Sequence, residues 1–224
     1  MSDEHFEGEG IRRPIAARSS SWAHQLAKFC AGIGLKPNGV SMIGLVFAII
    51  AGTLLIIGNQ LDPVVHIMCW IIAAFLVQAR LCCNMIDGLM AVENQLGTAT
   101  GVMFNEFPDR LEDSIILVCT GFACGVQPLG AHLGWLAALL AVLTAYVRAF
   151  GGSLGQPQNF CGPMAKPHRM ATTSIAIIVG CTEFWFHQTS YILLLALVVI
   201  CLGAAATCVR RALSIARLLQ AQNP

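Results

Sequence analysis

Residues 84–109 read NMIDGLMAVENQLGTATGVMFNEFPD. Polar side chains recur here at helical spacing. Asn84, Asp87 and Gly88 lie one turn apart, and Asn105, Asp109 and Asp113 form an i, i+4, i+8 line. Arg80 stands one turn before Asn84 on the same face. Ionisable groups at membrane depth are costly and usually functional. The block therefore marks two helix ends that turn oxygen-bearing faces toward protein or water rather than lipid.

The rest of the chain supplies the membrane. Of 224 residues, 56% are hydrophobic and 11% charged, where a soluble domain carries roughly a quarter charged residues. Apolar runs long enough to span, about 20 residues each, fall at 39–58, 63–91, 102–125, 129–151, 170–188 and 190–209. The expected fold is all-α: a polytopic membrane protein of six transmembrane helices. Trp22, Leu26, Phe29 and Cys30 share one face of residues 20–33, which predicts an N-terminal helix lying in the interface; an irregular lead-in to the first span is the alternative. Residues 1–19 read as a disordered cytosolic tail without the apolar core of a signal peptide, and 20–219 as one membrane domain.

The 13 Lys and Arg residues order the topology. Arg12, Arg13, Arg18, Lys28 and Lys36 precede the first span, and Arg148, Lys166 and Arg169 flank the fourth connection. Arg210, Arg211 and Arg217 follow the last span, and Arg80 and Arg110 fall in same-side halves of spans two and three. The opposite connections carry Asp62 and Glu183 without a basic residue. The positive-inside rule makes the basic side cytoplasmic. Both termini then face the cytoplasm, and the polar block is open to a soluble nucleotide. The cell membrane, the inner one where there are two, is the expected location, and no nucleic-acid partner is expected.

Most of the ten cysteines sit in apolar stretches, where Cys behaves as a small hydrophobe. No paired CxxC spacing suits zinc. Asp87 and Asp109 supply charge, and Asn84 and Asn105 supply neutral carbonyl oxygens. Such a set suits Mg²⁺ or Mn²⁺, which take oxygen ligands and substrate phosphates. The alternative is that Asp87, Asp109 and Asp113 only pair with Arg80 and Arg110.

The block resembles the signature of the CDP-alcohol phosphatidyltransferases: DxxDGxxAR, eight residues, then GxxxDxxxD. Here NMIDGLMAV (84–92) and GVMFNEFPD (101–109) flank the eight residues ENQLGTAT. Lys36-Pro37-Asn38 is similar to the family's Pro-Asn before its first span. The resemblance implies transfer of a phosphatidyl group from CDP-diacylglycerol to a small acceptor alcohol, with release of CMP. It implies a metal site at Asn84, Asp87, Asn105 and Asp109, holding one or two ions, with Asp109 as general base. Gly88, Ala91 and Gly101 would face the nucleotide together with Asp87. Arg148, Lys166 and Arg169 would bind the acceptor or a lipid phosphate, and a homodimer is implied. The chain departs from the pattern at Asn84 and Asn105, which replace the first and third aspartates, and at Val92, which replaces the arginine. Two cations would be weakly held, so one tightly bound ion, or a second recruited with substrate, is expected. Asp113 and Glu106 either compensate or pair with Arg110.

Two other readings are open. A catalytically silent relative would bind the CDP-lipid without releasing CMP. A small transporter would need polar residues across the whole membrane, but 66–75 and 115–126 are nearly all apolar, with His66 and Thr120 the exceptions.

Overall fold

A computed structural model describes residues 20–93 and 100–222 of the chain. The expected tail at 1–19, with Arg12, Arg13 and Arg18, lies outside the described residues, as does the side chain of Val92. Among the described residues there are seven helices and no strand: α1 (Ser21–Gly32), α2 (Pro37–Gly58), α3 (Pro63–Glu93), α4 (Gly101–Ala123), α5 (Leu129–Ser153), α6 (Lys166–His187) and α7 (Tyr191–Gln222). Prolines set several starts. Pro37 and Pro63 open α2 and α3, and α6 has Pro167 in its first turn, where the missing N–H costs nothing. Helix α6 stops at Gln188, which takes the left-handed conformation at φ 54°.

Helices α2, α3 (over Pro63–Ala91), α5 and α7 are long and apolar enough to cross a membrane. Helices α4 and α6, expected as spans, are not among them, and the reason is visible in their residues. The first half of α4 carries Glu106, Asp109, Arg110, Glu112 and Asp113. Helix α6 begins with Lys166 and Arg169 and holds Glu183 near its end. Many large apolar side chains face outward, with Phe75, Leu139 and Leu202 among the most exposed. Buried positions are dominated by Ala, Cys and Leu around Trp70.

The six long helices close a ring in which α2 packs on α3 and α4, α5 on α4 and α7, and α6 on α7 and α3. Helices α3 and α4 follow one another through the short connection 94–100. They touch only lightly, because the small-residue face of α2 stands between them. At Gly44 an added Cβ would fall 2.9 Å from Glu112 Oε1 on α4 and 3.4 Å from Cys83 Cβ on α3. Side chains of α3 and α4 therefore meet across the ring interior. Helix α1 packs on α3 through the buried Ala23 and Ala27 and leaves Trp22, Leu26 and Phe29 exposed.

Helices α4 and α5 cross on glycines. A Cβ at Gly121 would lie 2.5 Å from the Gly130 carbonyl oxygen and 2.8 Å from Gly134 Cα. Both obstacles are backbone, so neither swings aside, and close approach is what small residues provide between membrane helices. Gly121→Ala is expected to destabilise the protein by about 1–3 kcal/mol through overpacking. Thermal unfolding in detergent measures this; an unchanged midpoint would show that the crossing tolerates a methyl group.

Far from the polar block, Glu183 accepts the Tyr191 and Ile192 backbone N–H groups at 2.7 and 2.9 Å and the Thr189 hydroxyl at 2.6 Å. It caps α7 with an anion, where helix N–H groups lack partners. His66 stacks on Phe184 near the same end, with ring centroids 3.7 Å apart.

Candidate functional site

Four helices bring carboxylates and cations together at the end of the ring formed by the start of α4 and the finish of α3. Asp87, on α3, is 3% exposed and accepts the Ser41 hydroxyl of α2 on Oδ2 at 2.5 Å. Asn84, one turn earlier, donates its amide to Glu112 Oε2 at 3.1 Å. Glu112 has no exposed surface and also receives Arg80 Nη1 at 3.0 Å. Pro108 precedes Asp109 inside α4 and offers no N–H to the carbonyl one turn back, so the helix gives up one ladder bond beside Asp109.

The Asp109 side chain is only 14% exposed, and Lys166 Nζ of α6 lies 2.5 Å from its Oδ1. Arg110 approaches its other oxygen at 4.0 Å. Asp87 and Asp109 lie close enough to repel one another, and the Lys166 ammonium is within electrostatic reach of both. Asp113 binds Arg80 through one oxygen and Arg169 Nη2 through the other at 2.8 Å. Glu106 binds Arg110 and Arg148, the latter at 2.7 and 2.8 Å.

The predicted residues are thus distributed unevenly. Asp109 pairs with Lys166, both within electrostatic range of Asp87, while Asn84 meets Glu112. Asn105 points to the exposed surface of α4, and Gly88, Ala91 and Gly101 are half-buried at the ends of α3 and α4 flanking residues 94–99. Arg148 is engaged by Glu106, by Gln158 at 3.4 Å and by the Phe160 ring at 4.9 Å. Arg169 is buried; besides Asp113 it donates to the Met164 carbonyl and the Thr144 hydroxyl. Asp113 takes Arg80 and Arg169 as partners rather than Arg110, and Glu106 takes both Arg110 and Arg148.

Sequence reading missed Ser41, Glu112 and Arg211. The last ties the 154–165 connection down by donating to the Phe160, Cys161 and Thr144 carbonyls at 3.1, 3.0 and 2.7 Å. Glu112 carried a signal, lying three residues after Asp109 on the same side of a helix. Ser41 carried none beyond its place in the first turns of α2.

Solved structures share this arrangement of helices. The phosphatidylinositol phosphate synthase (PgsA1) of Mycobacterium tuberculosis with CDP-DAG bound superposes with a TM-score of 0.68 at 19% identity, over 88% of this chain and 94% of that one. The present chain has the fold of that synthase. The same synthase in complex with manganese and citrate gives a TM-score of 0.67 at 20% identity, over 86% and 88% of the two chains. Its apo form gives 0.66 at 20%, over 84% and 92%. Neither a family model nor a curated protein matches the chain.

The residues present suit a divalent cation of the hard, oxygen-loving kind. Asp87 Oδ1 is buried without a hydrogen-bond partner, and such an oxygen is costly unless something positive meets it. Among the described residues, no three His, Cys, Asp or Glu side chains form a cage by themselves. Mg²⁺-type binding needs only one or two protein carboxylates, the remaining positions going to water and phosphates.

Proposed function

We propose that the protein is a six-span membrane enzyme that transfers a phosphatidyl group from CDP-diacylglycerol to a small acceptor alcohol and releases CMP. Helices α4 and α6 complete the six spans, their charged ends meeting water at the cytoplasmic surface. Both termini are cytoplasmic, and α1 lies in the interface with Trp22, Leu26 and Phe29 toward lipid. The observation that carries the reading is that Asp87 and Asp109, at the second and fourth carboxylate positions of the signature, lie within electrostatic range of one another and of Lys166, in a fold whose solved example binds CDP-DAG.

In this reading the acceptor hydroxyl gives its proton to the Asp109 carboxylate and attacks the phosphorus next to the diacylglycerol. A new P–O bond forms, the P–O bond to the CMP side breaks, and CMP departs with that electron pair. A carboxylate within hydrogen-bond reach of the hydroxyl is suited to this proton transfer. Asn84, Asp87 and Asp109, with Asn105 at the rim, would hold Mg²⁺ or Mn²⁺. Such an ion, when bound, neutralises charge on the diphosphate. Gly88, Ala91 and Gly101 leave room for the nucleotide at the mouth. Lys166 and Arg148 hold phosphate oxygens from the open side, and Arg169, fixed on Asp113, forms the wall behind them.

The test is CMP release from CDP-diacylglycerol by the purified protein with Mg²⁺ or Mn²⁺, across a panel of acceptor alcohols. Metal-dependent release with one acceptor is expected. The Lys166–Asp109 contact and the two asparagines favour a second reading, a silent relative that binds the CDP-lipid. Retained lipid binding with no release from any acceptor would select it.

A further inference from the structure

Two positions at which the signature carries carboxylates are amides here, and one of them, Asn105, lies on the exposed surface. A carboxylate that the signature does not mark stands beside the other. Glu112 is fully buried; its Oε2 takes both the Arg80 and the Asn84 donors, and its Oε1 is buried without a partner. Oε1 lies 2.9 Å from the place a Cβ would occupy at Gly44, and Asn84 Oδ1 lies 3.6 Å from that same place. The missing side chain of Gly44 is thus what lets the Glu112 carboxylate, with the Asn84 amide oxygen beside it, pack against α2. One turn along both helices the pattern recurs: Ser41 of α2 faces Asp87 of α3, occupies Oδ2, and leaves Oδ1 buried without a partner. Oxygens of Glu112, Asn84 and Asp87 therefore line one seam between α2, α3 and α4.

We propose that Glu112 is a ligand of the divalent cation, with Asp87 and the Asn84 amide oxygen, and supplies the negative charge that the chain lacks at 84 and 105. This rests on the metal-dependent transferase reading. Two carboxylates and one amide oxygen, completed by water and phosphate, form an ordinary set for Mg²⁺ or Mn²⁺. Arg80 would neutralise a lone Glu112 only on its Oε2 side; the other oxygen has the same need as Asp87 Oδ1. Gly44 is then part of the site, since a Cβ there would press on Glu112 Oε1 and displace it.

The experiment is titration of the purified full-length protein in detergent with Mn²⁺ alone, free Mn²⁺ being read by electron paramagnetic resonance. Thermal unfolding without metal checks each variant's fold. Glu112→Gln keeps an oxygen for Arg80 but loses the charge, and it is expected to weaken Mn²⁺ binding by about tenfold or more. Asp87→Asn should do the same, and adding Asn84→Asp to Glu112→Gln should restore binding. Gly44→Ala, which keeps every charge, should weaken Mn²⁺ comparably and serves if Glu112→Gln proves unstable. Unchanged affinity in Glu112→Gln or Gly44→Ala, with loss in Asp87→Asn, overturns the inference and leaves the transferase reading intact. No Mn²⁺ binding by the unaltered protein also overturns the inference, and the transferase reading is then decided separately by CMP release.

Discussion

Asp109→Asn is expected to lower CMP release from CDP-diacylglycerol by about a thousandfold, the middle of the range for a positioned general base. The amide matches the carboxylate in size and keeps an acceptor oxygen, so lipid binding is expected to persist while the proton acceptor is lost. Lys166 Nζ sits 2.5 Å from Asp109 Oδ1, and both side chains are more than four-fifths buried. The ammonium must therefore shift toward substrate phosphate before Asp109 can take a proton. Asp109→Asn also leaves Lys166 facing an amide, so thermal unfolding belongs beside the rate measurement to separate lost chemistry from lost fold. A variant that folds, binds the CDP-lipid and releases CMP at the unaltered rate would remove Asp109 from the chemistry.

The helices were readable because apolar runs bounded by proline and polar residues fix where a membrane helix can begin and stop. The runs at 39–58 and 63–91 differ from α2 and α3 by two residues at most at either end. The last apolar run ends at 209, with its helix read as running on towards Leu219, and α7 continues to Gln222, since Arg210, Arg211 and Arg217 end hydrophobicity without ending helicity. For the polar block, periodicity placed Asn84 with Asp87, and Asp109 with Asp113, on their own helix faces. It carried no information about which helix each face would meet. Whether Asp113 meets Arg110 or Arg169, and whether Asp87 finds Ser41, depends on packing between helices far apart in sequence. Glu112 shares a helix side with Asp109, but its burial against Arg80, Asn84 and the face of α2 at Gly44 depends on the same packing.

Asp113→Ala is expected to cost about 3–5 kcal/mol of stability, the range for removing one partner of a buried ion pair. Its carboxylate joins Arg80 of α3 to Arg169 of α6, with one oxygen on each. Arg80 has no exposed surface and Arg169 is 3% exposed. Without Asp113, Arg80 keeps only Glu112, and Arg169 keeps only the neutral oxygens of Met164 and Thr144. The buried Arg169 guanidinium would then have no carboxylate partner, and that uncompensated charge is what makes such substitutions severe. Arg169→Met removes that cation, so the double variant Asp113→Ala with Arg169→Met should recover part of the loss. Thermal unfolding in detergent, read as a double-mutant cycle, measures the coupling. Purely additive losses would show that Asp113 and Arg169 are neighbours without being partners. A recovered midpoint would show that this end of the ring is held by charge balance.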